Sequence, residues 1–370
     1  MDWDFELFRH HGPLGLPFHF WTVFAFLFGI TAGSFLNVVI HRMPLGESIV
    51  TPPSHCPKCG VQISLFRNLP ILSWLLLRGR CAACSQPISP RYIAVEALTG
   101  FTFIAAWLRF GENSPGSAIA AAILLAGFIA ATFIDFEHFI IPDEITLGGV
   151  GAGFLLSLVA PELHRVTTVL EALRSSASGI LVGAGVVYLV LRLGKLLFGR
   201  EHISLPEGSR ILFHETGVKL PDKNISFEEI FYRKSDTILF EGRHIELADR
   251  CYPKATIRLS PESLRIDDET LSPQSEPYLA AESDSFSLPR EAMGLGDVKF
   301  MGAIGAFLGW KATLFSLMFS SILGAIIGVS LIAIGRQHWS GRLPYGPYIA
   351  AAATAWIFGA SAVWDSLFNR

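Results

Sequence analysis

The sequence predicts an all-α polytopic membrane protein of about eight transmembrane helices, with a small zinc-binding cytoplasmic loop and an inserted β-rich cytoplasmic domain. Two observations predict the helices. The 370 residues are 51% hydrophobic and only 16% charged, whereas soluble domains are about 25% charged. The apolar residues are also concentrated in long runs that are almost free of charge. The runs cover residues 18–40, 93–110, 117–134, 145–160, 176–198, 298–310, 313–335 and 346–364.

A segment needs about 20 apolar residues to cross a bilayer. Because the backbone must satisfy its own hydrogen bonds in lipid, the runs are predicted to be helices; the run 298–310 is shorter than the rest. The alternative is a large soluble core of buried helices, which the recurrence of so many uncharged runs disfavours. The formal net charge of −3 provides no strong field for nucleic acid, so no such partner is expected.

The distribution of Lys and Arg predicts the orientation of the helices. Segment 42–92 holds six basic residues against the single acid Glu47, which places it on the cytoplasmic side. Alternation of the spans then places 135–144 and 199–296 on that side as well, and both termini on the other. Further basic residues lie at predicted cytoplasmic ends, namely Arg192, Lys195, Arg200, Arg336 and Arg342.

The chain is predicted to contain five regions. Residues 1–42 form an N-terminal segment with the first transmembrane helix, and 43–92 form the zinc-binding loop. Residues 93–200 hold transmembrane helices two to five and the first of two acidic residues described below. Residues 201–291 form the inserted domain, and 292–370 hold the second acidic residue and helices six to eight.

The region 201–291 differs from the rest of the chain because its composition is polar. Its tail, 270–290, is rich in Ser, Pro and Glu and is predicted to be a flexible linker. The region is interpreted either as a partner-binding or regulatory domain or as a passive insertion, since long loops cost little free energy. Short strand-like runs lie between Gly, Pro and Asp residues at 211–213, 230–232, 237–240 and 256–259.

Four of the five cysteines form two C-x-x-C pairs, Cys56 with Cys59 and Cys81 with Cys84, separated by 21 residues. Each pair can direct two thiolates at one point, and the two pairs together supply the four ligands of a tetrahedral zinc site. Such a zinc ion is structural because no coordination position remains open. The alternative is two disulfides or idle thiols, which a cytoplasmic location disfavours. Cys251 lacks such a partner and is expected to be an ordinary cysteine.

Two acidic residues stand at the ends of apolar runs. Asp135 directly follows the run 117–134, and Asp297 ends a Gly-x-Gly-Asp motif before the run 298–310. Ionisable residues at membrane depth are energetically expensive and point to function. Both are predicted at the cytoplasmic boundary, where two carboxyl groups sharing one proton can activate a water molecule and protonate a leaving amine.

These acids have other interpretations. Both can be helix-end residues in contact with water and lipid headgroups. We favour that interpretation for Asp143 and Glu144, which follow Pro142 and are expected to cap the next helix. A transporter with a carboxylate proton relay needs the same acids but no zinc loop. A structural membrane adaptor would use the zinc loop for docking.

Several motifs lie in order along about three quarters of the chain: GSFLNVVIHR at 33–42, the two cysteine pairs with RGRC at 78–81, ISPRY at 88–92, ID at 134–135, IPD at 141–143, GLGDVK at 294–299, GAFLGW at 305–310 and PYGP at 344–347. In this combination the chain resembles the prepilin peptidases of type IV pilus and type II secretion systems. These are membrane aspartic peptidases of the G-x-G-D class.

The resemblance implies an enzyme of the bacterial inner membrane that cuts the basic leader from pilin or pseudopilin precursors at the cytoplasmic face. It also implies N-methylation of the new terminus with S-adenosylmethionine. Asp135 and Asp297 would be the catalytic pair, and the four paired cysteines would bind zinc. No glycine-rich loop follows a predicted strand, so no residue is assigned to the methyl donor. The chain departs from the family at 201–291, where members commonly have a short connection.

Overall fold

A computed structural model describes residues 12–64, 68–198, 200–214, 216–221, 224–231, 236–276, 278–289, 294–336 and 343–368. Arg342 and part of the strand-like run 230–232 therefore lie outside the described residues. The chain divides into two compact units. The membrane unit comprises Met1–Tyr188 and Gly294–Arg370, and the inserted unit comprises Leu189–Met293.

The membrane unit is helical, and six helical segments in the described part of the chain are long and apolar enough to cross a bilayer: Phe18–Leu45, Arg91–Phe110, Pro115–His138, Val169–Leu196, Leu295–Ala333 and Gly346–Phe368. The α-helices in chain order are α1 Phe18–Arg42, α2 Leu72–Leu76, α3 Arg91–Phe110, α4 Pro115–His138, α5 Asp143–Leu156, α6 Val169–Phe198, α7 Phe227–Ile230, α8 Leu295–Ala333, α9 Gly346–Ala355 and α10 Ser361–Phe368. Only α7 lies wholly within the inserted unit.

The outer faces of these helices are apolar. Phe20, Phe24 and Phe28 follow one another at four-residue spacing along α1, and each is about half exposed. Ile322 and Ile326 of α8 are exposed in the same way. Continuous exposed apolar faces of this kind are favourable in contact with lipid and unfavourable in contact with water. The membrane unit is therefore that of a polytopic membrane protein, and the soluble-core alternative is not favoured.

Helix α8 is not straight, because the chain reverses direction within it. Gly309 has φ +81° and ψ 175°, which is not a helical conformation. A Cβ atom added to Gly183 of α6 would lie 2.4 Å from the Met301 carbonyl oxygen and 2.9 Å from Cγ2 of Thr313. Twelve residues of straight helix would separate residues 301 and 313 by about 18 Å. Residues 295–308 and 310–333 therefore form an antiparallel helical hairpin.

The number of membrane spans depends on two short helices. Helix α5 and the first half of α8 each have fourteen residues, a length of about 21 Å, against a hydrocarbon core of about 30 Å. If both count as spans, the described helices provide eight segments, so the predicted number stays a prediction. The prediction of a short span at 298–310 followed by one at 313–335 matches the hairpin in position.

Connections between helices meet at one end of the membrane unit. Residues 109–110, 161–166, 308–311 and 356–365 supply most of the lining of two adjacent clefts there. The sequence-based topology places 111–116, 161–174 and the turn between the runs 298–310 and 313–335 on the same, non-cytoplasmic side, where it also places the C-terminus.

The inserted unit is an antiparallel sheet. The strands in the described residues are β1 Arg200–Ser204, β2 Arg210–His214, β3 Gly217–Lys219, β4 Asn224–Ser226, β5 Ile238–Leu247, β6 Cys251–Leu259, β7 Leu264–Ile266, β8 Glu269–Leu271, β9 Leu279–Glu282 and β10 Ser285–Pro289. They run in the order β4-β3-β2-β9-β5-β6-β7-β8, while β10 pairs with both β1 and β5. Alternate side chains enter a core that includes Ile211, Phe240, Ile257 and Phe286.

Two expectations about this unit were wrong. The segment 270–290 is not a flexible linker, because β9 lies between β2 and β5 in the sheet and Phe286 of β10 is fully buried. The run 230–232 was expected to be a strand, but Ile230 ends the helical turn α7. The four-residue spacing of Phe227 and Phe231, whose rings lie 5.5 Å apart, favours that turn.

The inserted unit begins and ends on paired neighbouring strands. Ser204 of β1 is the cross-strand partner of Ser285 of β10, and paired strands lie about 4.8 Å apart. We therefore expect that replacing 205–284 with a two-residue Asn-Gly turn leaves a membrane unit that inserts and purifies as a monodisperse protein. Size-exclusion chromatography and thermal unfolding in detergent measure this.

A matched deletion provides the control. Joining Leu259 to Ser285 removes β7, β8 and β9 and exposes the sheet core, so that variant should aggregate. Aggregation of the 205–284 replacement itself would contradict the independence of the two units.

Candidate active site and metal-binding loop

The four paired cysteines come together in the structure. The Sγ atoms of Cys56, Cys59, Cys81 and Cys84 all lie within 4.8 Å of one another, and those of Cys56 and Cys84 are 3.9 Å apart. A tetrahedral site with metal–sulfur bonds of about 2.3 Å has edges of about 3.8 Å. All four thiols are free of disulfides. The donor set and its spacing therefore fit a closed four-sulfur metal site.

The two cysteine pairs adopt the same backbone turn. The Gly60 amide donates to the Cys56 carbonyl and the Ser85 amide donates to the Cys81 carbonyl, each at 2.9 Å. Both donors have positive φ, +71° for Gly60 and +57° for Ser85. The backbone N–H groups of Cys84 and residue 83 lower the pKa of the Cys81 thiol to about 6, whereas burial and the neighbouring cysteines raise the pKa of Cys84 to about 11. The lowered pKa of Cys81 favours its thiolate, which is the form that binds metal.

The metal-binding loop is attached to the helices on either side of it. Buried Arg42, the last residue of α1, donates to two carbonyl oxygens of the loop. Asn37 of α1 donates its Nδ2 to the Tyr92 carbonyl at 3.0 Å. The carboxylate of buried Glu96 in α3 accepts the Ile71 amide at 2.7 Å. These contacts fix both ends and the middle of the loop to α1 and α3.

Asp135 lies in the last turn of α4 and is buried. Helix α4 ends because Phe139 adopts a left-handed conformation with φ +54°. The Oδ2 atom of Asp135 accepts the Gly346 amide at 2.8 Å. Gly346 is the first residue of α9, so a helix N-terminus donates to the carboxyl group. A Cβ atom at Gly346 would lie only 2.9 Å from that oxygen.

Asp297 lies in the first turn of α8 and is partly buried. Its Oδ2 atom accepts the Gly294 amide at 3.2 Å, across the glycines of the Gly-x-Gly-Asp motif. Gly296 faces Ile141, which also lies beside Gly346. The charge of Asp135 acts electrostatically on Asp297. The structure therefore brings together the ends of α4, α8 and α9, and with them the two carboxyl groups.

Two ion pairs flank these carboxyl groups. Lys299 binds Asp143 at 2.6 Å and joins the first turns of α8 and α5. Arg91 at the start of α3 forms an ion pair with Glu137 of α4, two residues beyond Asp135. The expectation that Asp143 caps α5 was wrong. Asp143 is the first residue of the helix, Pro142 occupies the cap position, and no side-chain cap bond forms.

Comparison with known proteins supports a single family. The model of the bacterial peptidase A24 N-terminal domain matches residues 27–110, and that of the type IV leader peptidase family matches 280–329. A type 4 prepilin-like proteins leader peptide-processing enzyme of Escherichia coli O78:H11 is 35% identical over 231 residues, covering 58% of this chain and 80% of that protein. The chain belongs to the type IV leader peptidase family.

Two further relatives of the leader peptidase family are both named prepilin leader peptidase/N-methyltransferase. The protein of Aeromonas hydrophila is 28% identical over 381 residues, covering 96% of this chain and 94% of its own length. The protein of Myxococcus xanthus is 39% identical over 209 residues, covering 52% of this chain and 58% of its own length. No solved structure matches the chain significantly. Family membership disfavours the transporter and adaptor alternatives.

The structure adds residues to the site that sequence analysis left without a role. Gly346 stood in the PYGP motif, yet only the structure shows its amide on Asp135. Tyr348, also near Asp135, is buried, and the charge of Asp135 acts on its phenol group. The Arg91–Glu137 ion pair joins the end of the metal-binding loop to α4. For the contact between Gly346 and Asp135, the only sequence feature that could have indicated it was a glycine next to a proline at a helix start.

The cysteine geometry leads to a prediction about metal content. We expect the purified protein to hold one metal ion per chain, measured by inductively coupled plasma mass spectrometry. Cys56→Ser should weaken metal binding more than about 100-fold, because losing a direct ligand costs at least as much as losing an outer-shell partner. Cys251→Ser, which alters an exposed cysteine outside the cluster, should keep the full metal content. Metal-free protein with an intact loop would contradict the site.

Proposed function

We propose that this chain is a membrane aspartic endopeptidase that removes the leader peptide from type 4 prepilin-like precursors and N-methylates the new terminus. Membership of the leader peptidase family supports peptidase activity, and the Aeromonas hydrophila relative, matched over 94% of its length, is named for both activities. Asp135 and Asp297 are proposed as the catalytic pair. One observation carries this assignment: the two aspartates, 162 residues apart in sequence, lie at the meeting point of three helix ends, where Ile141 lies beside both Gly296 and Gly346.

In each of the two carboxyl groups, one oxygen accepts a backbone hydrogen bond and the other is accessible to a ligand. The Oδ2 atoms accept the amides of Gly346 and Gly294. Within the described residues, no hydrogen bond to the Oδ1 atom of either aspartate is found. A substrate water molecule can therefore lie between the two open oxygens. Because backbone amides hold the other two oxygens, the pair keeps its orientation without a metal ligand or a charged side chain.

The pair carries out hydrolysis by general acid–base catalysis. One carboxylate takes a proton from the water molecule while the oxygen of that water molecule attacks the scissile carbonyl carbon. The other, protonated, carboxyl group gives its proton to the leaving nitrogen as the carbon–nitrogen bond breaks. The first aspartate ends protonated and the second ionised, so one proton exchange with water restores the starting state.

The position of the pair suits a precursor with a basic leader and an apolar helix. Both aspartates lie in terminal turns of long apolar helices. A substrate helix embedded in the bilayer would present its leader junction at that level, at the edge of the membrane. We place this edge at the cytoplasmic face of the bacterial inner membrane, where the basic 42–92 segment is expected.

The metal in the four-cysteine site is proposed to be zinc, in a structural role. Four thiolates in tetrahedral arrangement are the preferred donors for zinc, and no open position remains for catalysis. When bound, zinc would hold the two turns together and stabilise a loop that has little apolar core. S-adenosylmethionine is proposed as the methyl donor of the second reaction, and we assign no residue to it.

The inserted unit is proposed to be an independent domain without a direct part in the chemistry. Its core is built from its own strands, and the residues around Asp135 belong to the membrane unit. It corresponds to the predicted region 201–291, extended by the end of α6. Partner recognition and passive insertion both remain compatible with this arrangement.

The catalytic assignment predicts the effect of three isosteric substitutions. Asp135→Asn and Asp297→Asn should each lower leader cleavage by about 10³-fold or more, because neither amide can exchange the shared proton. Asp143→Asn should lower it less than about fivefold, since an exposed ion pair such as Asp143–Lys299 contributes at most about 1 kcal/mol. Purified variants in detergent are incubated with a prepilin precursor, and the products are read by mass spectrometry. Substantial cleavage by either catalytic variant would refute the assignment.

Gly346 provides a second test that leaves every charge in place. A methyl group at this position would meet Oδ2 of Asp135 at 2.9 Å, so Gly346→Ala must displace the carboxyl group. We expect cleavage to fall about 100-fold, the effect of a displacement of about 1 Å in a catalytic group. Gly127→Ala is the matched control, because Gly127 lies on α4 with no atom within 4 Å of the added carbon. Cleavage by Gly346→Ala at the wild-type rate would show that the Gly346 contact does not position Asp135.

A further inference from the structure

A cleft of about 600 Å³ lies in the membrane unit and is not part of the proposed catalytic site. It is formed by the turn before α6, the start of α6, the reversal of α8 and the chain from the end of α9 into α10. Neither Asp135 nor Asp297 lines it. The residues that line it are His164, Arg165, Val166, Arg174, Ser175, Ser178, Leu308, Gly309, Trp310, Lys311, Trp356 and Asp365.

The charges around this cleft are mainly positive. Three basic residues line it, and Asp365 is the only acid among the lining residues. Arg165 is bound to Asp365 at 2.6 Å. Among the residues that the structure describes, neither Arg174 nor Lys311 has an acidic partner within ion-pair distance. The charge of Lys311 acts on Asp365, and its Nζ atom lies 5.8 Å from the centre of the Trp310 ring. Neither cation is held in an ion pair, so both can reach a ligand.

Neutral hydrogen-bonding groups add to these cations. His164 is more than nine-tenths buried, and its Nδ1 atom has no hydrogen-bond partner. Burial lowers the pKa of His164 to about 4, so the ring is neutral at physiological pH and carries one N–H donor. Leaving a buried ring nitrogen without a hydrogen bond costs free energy. A ligand in the cleft would remove that cost.

The reversal of α8 is what opens the cleft. Gly309 has φ +81°, and a Cβ atom there would lie 2.4 Å from Oγ of Ser175 and 3.7 Å from Nδ1 of His164. The second half of α8 then starts at Trp310, so a helix N-terminus stands at the cleft. The unpaired amides and the dipole of a helix N-terminus favour negative charge.

We propose that this cleft is a binding site for a phosphate group, carried by the headgroup of an anionic phospholipid or by free phosphate. Arg174 and Lys311 would provide the charge, the N-terminus of the second half of α8 would provide amides, and His164 would provide a neutral donor. Trp310 and Trp356 lie beside these groups, and tryptophan is enriched where membrane proteins meet lipid headgroups. Basic pockets between membrane helices bind lipid headgroups by the same chemistry.

The experiment uses the full chain, purified in a neutral detergent and studied by native mass spectrometry. It is titrated with phosphatidylglycerol, with diacylglycerol of the same acyl chains, and with phosphatidylglycerol in the presence of inorganic phosphate. We expect one phosphatidylglycerol molecule to bind and diacylglycerol not to bind. Lack of competition by inorganic phosphate assigns the site to the lipid, and competition assigns it to free phosphate; both outcomes support a phosphate site.

Variants connect the binding to the cleft. Arg174→Gln and Lys311→Gln should each weaken phosphatidylglycerol binding about tenfold, because each removes a hydrogen bond to a charged group. Arg174→Lys keeps the charge and should retain most of the affinity, which separates charge from folding. Arg336→Gln is the matched control, because it removes one exposed charge at the far end of α8, and it should bind as the wild type does.

Three results would overturn the proposal. Equal binding of diacylglycerol and phosphatidylglycerol refutes it, because the cleft would then not recognise the phosphate. Undiminished binding by the Arg174→Gln, Lys311→Gln double variant refutes it too, as does an equal loss in Arg336→Gln. Thermal unfolding of each variant without lipid confirms that the compared proteins are folded, and leader cleavage by the double variant should equal that of the wild type.

Discussion

The membrane unit depends on the close approach of helix backbones at residues without side chains. A Cβ atom at Gly179 of α6 would lie 2.2 Å from the Gly305 carbonyl oxygen of α8, and one at Gly305 would lie 2.1 Å from the Gly179 carbonyl oxygen. Lipid provides no hydrophobic force to press helices together, so close backbone packing must hold them. Any larger residue at these two positions would separate α6 from the helix that carries Asp297.

The two carboxyl groups are likewise held by glycine backbone groups and not by side chains. Asp135 and Asp297 each accept a backbone amide from a glycine, Gly346 and Gly294. An acid near the membrane edge needs such partners because leaving a charge unpaired in a medium of low polarity is expensive. Amides from helix starts meet this need without adding a cation that would compete with the proton for the carboxylate. The flanking Lys299 is instead bound to Asp143, which keeps its charge on a different acid.

The sequence predicted the features that depend on local spacing and missed those that depend on distant contacts. Two C-x-x-C pairs point to one metal site because each turn fixes its own geometry, and the short run 298–310 marked the first half of α8. The tail 270–290 looked flexible because its composition is polar, yet Phe286 and the alternating residues of β9 fill a core made by strands far earlier in the chain. The contact between Gly346 and Asp135 spans 211 residues, and the cleft at Gly309 is assembled from four separate segments. No local pattern encodes contacts of that kind.

The strand order of the inserted unit has a consequence for synthesis of the protein. Strand β9 occupies the place between β2 and β5, and β10 closes the sheet against β1. During translation, β2 and β5 therefore emerge with unpaired edges and must wait for residues 279–289 before their hydrogen bonds are complete. Open edges attract other strands, and pairings between distant segments form slowly. The sheet can close only after residues 279–289 have left the ribosome, and these residues directly precede the helix that bears Asp297.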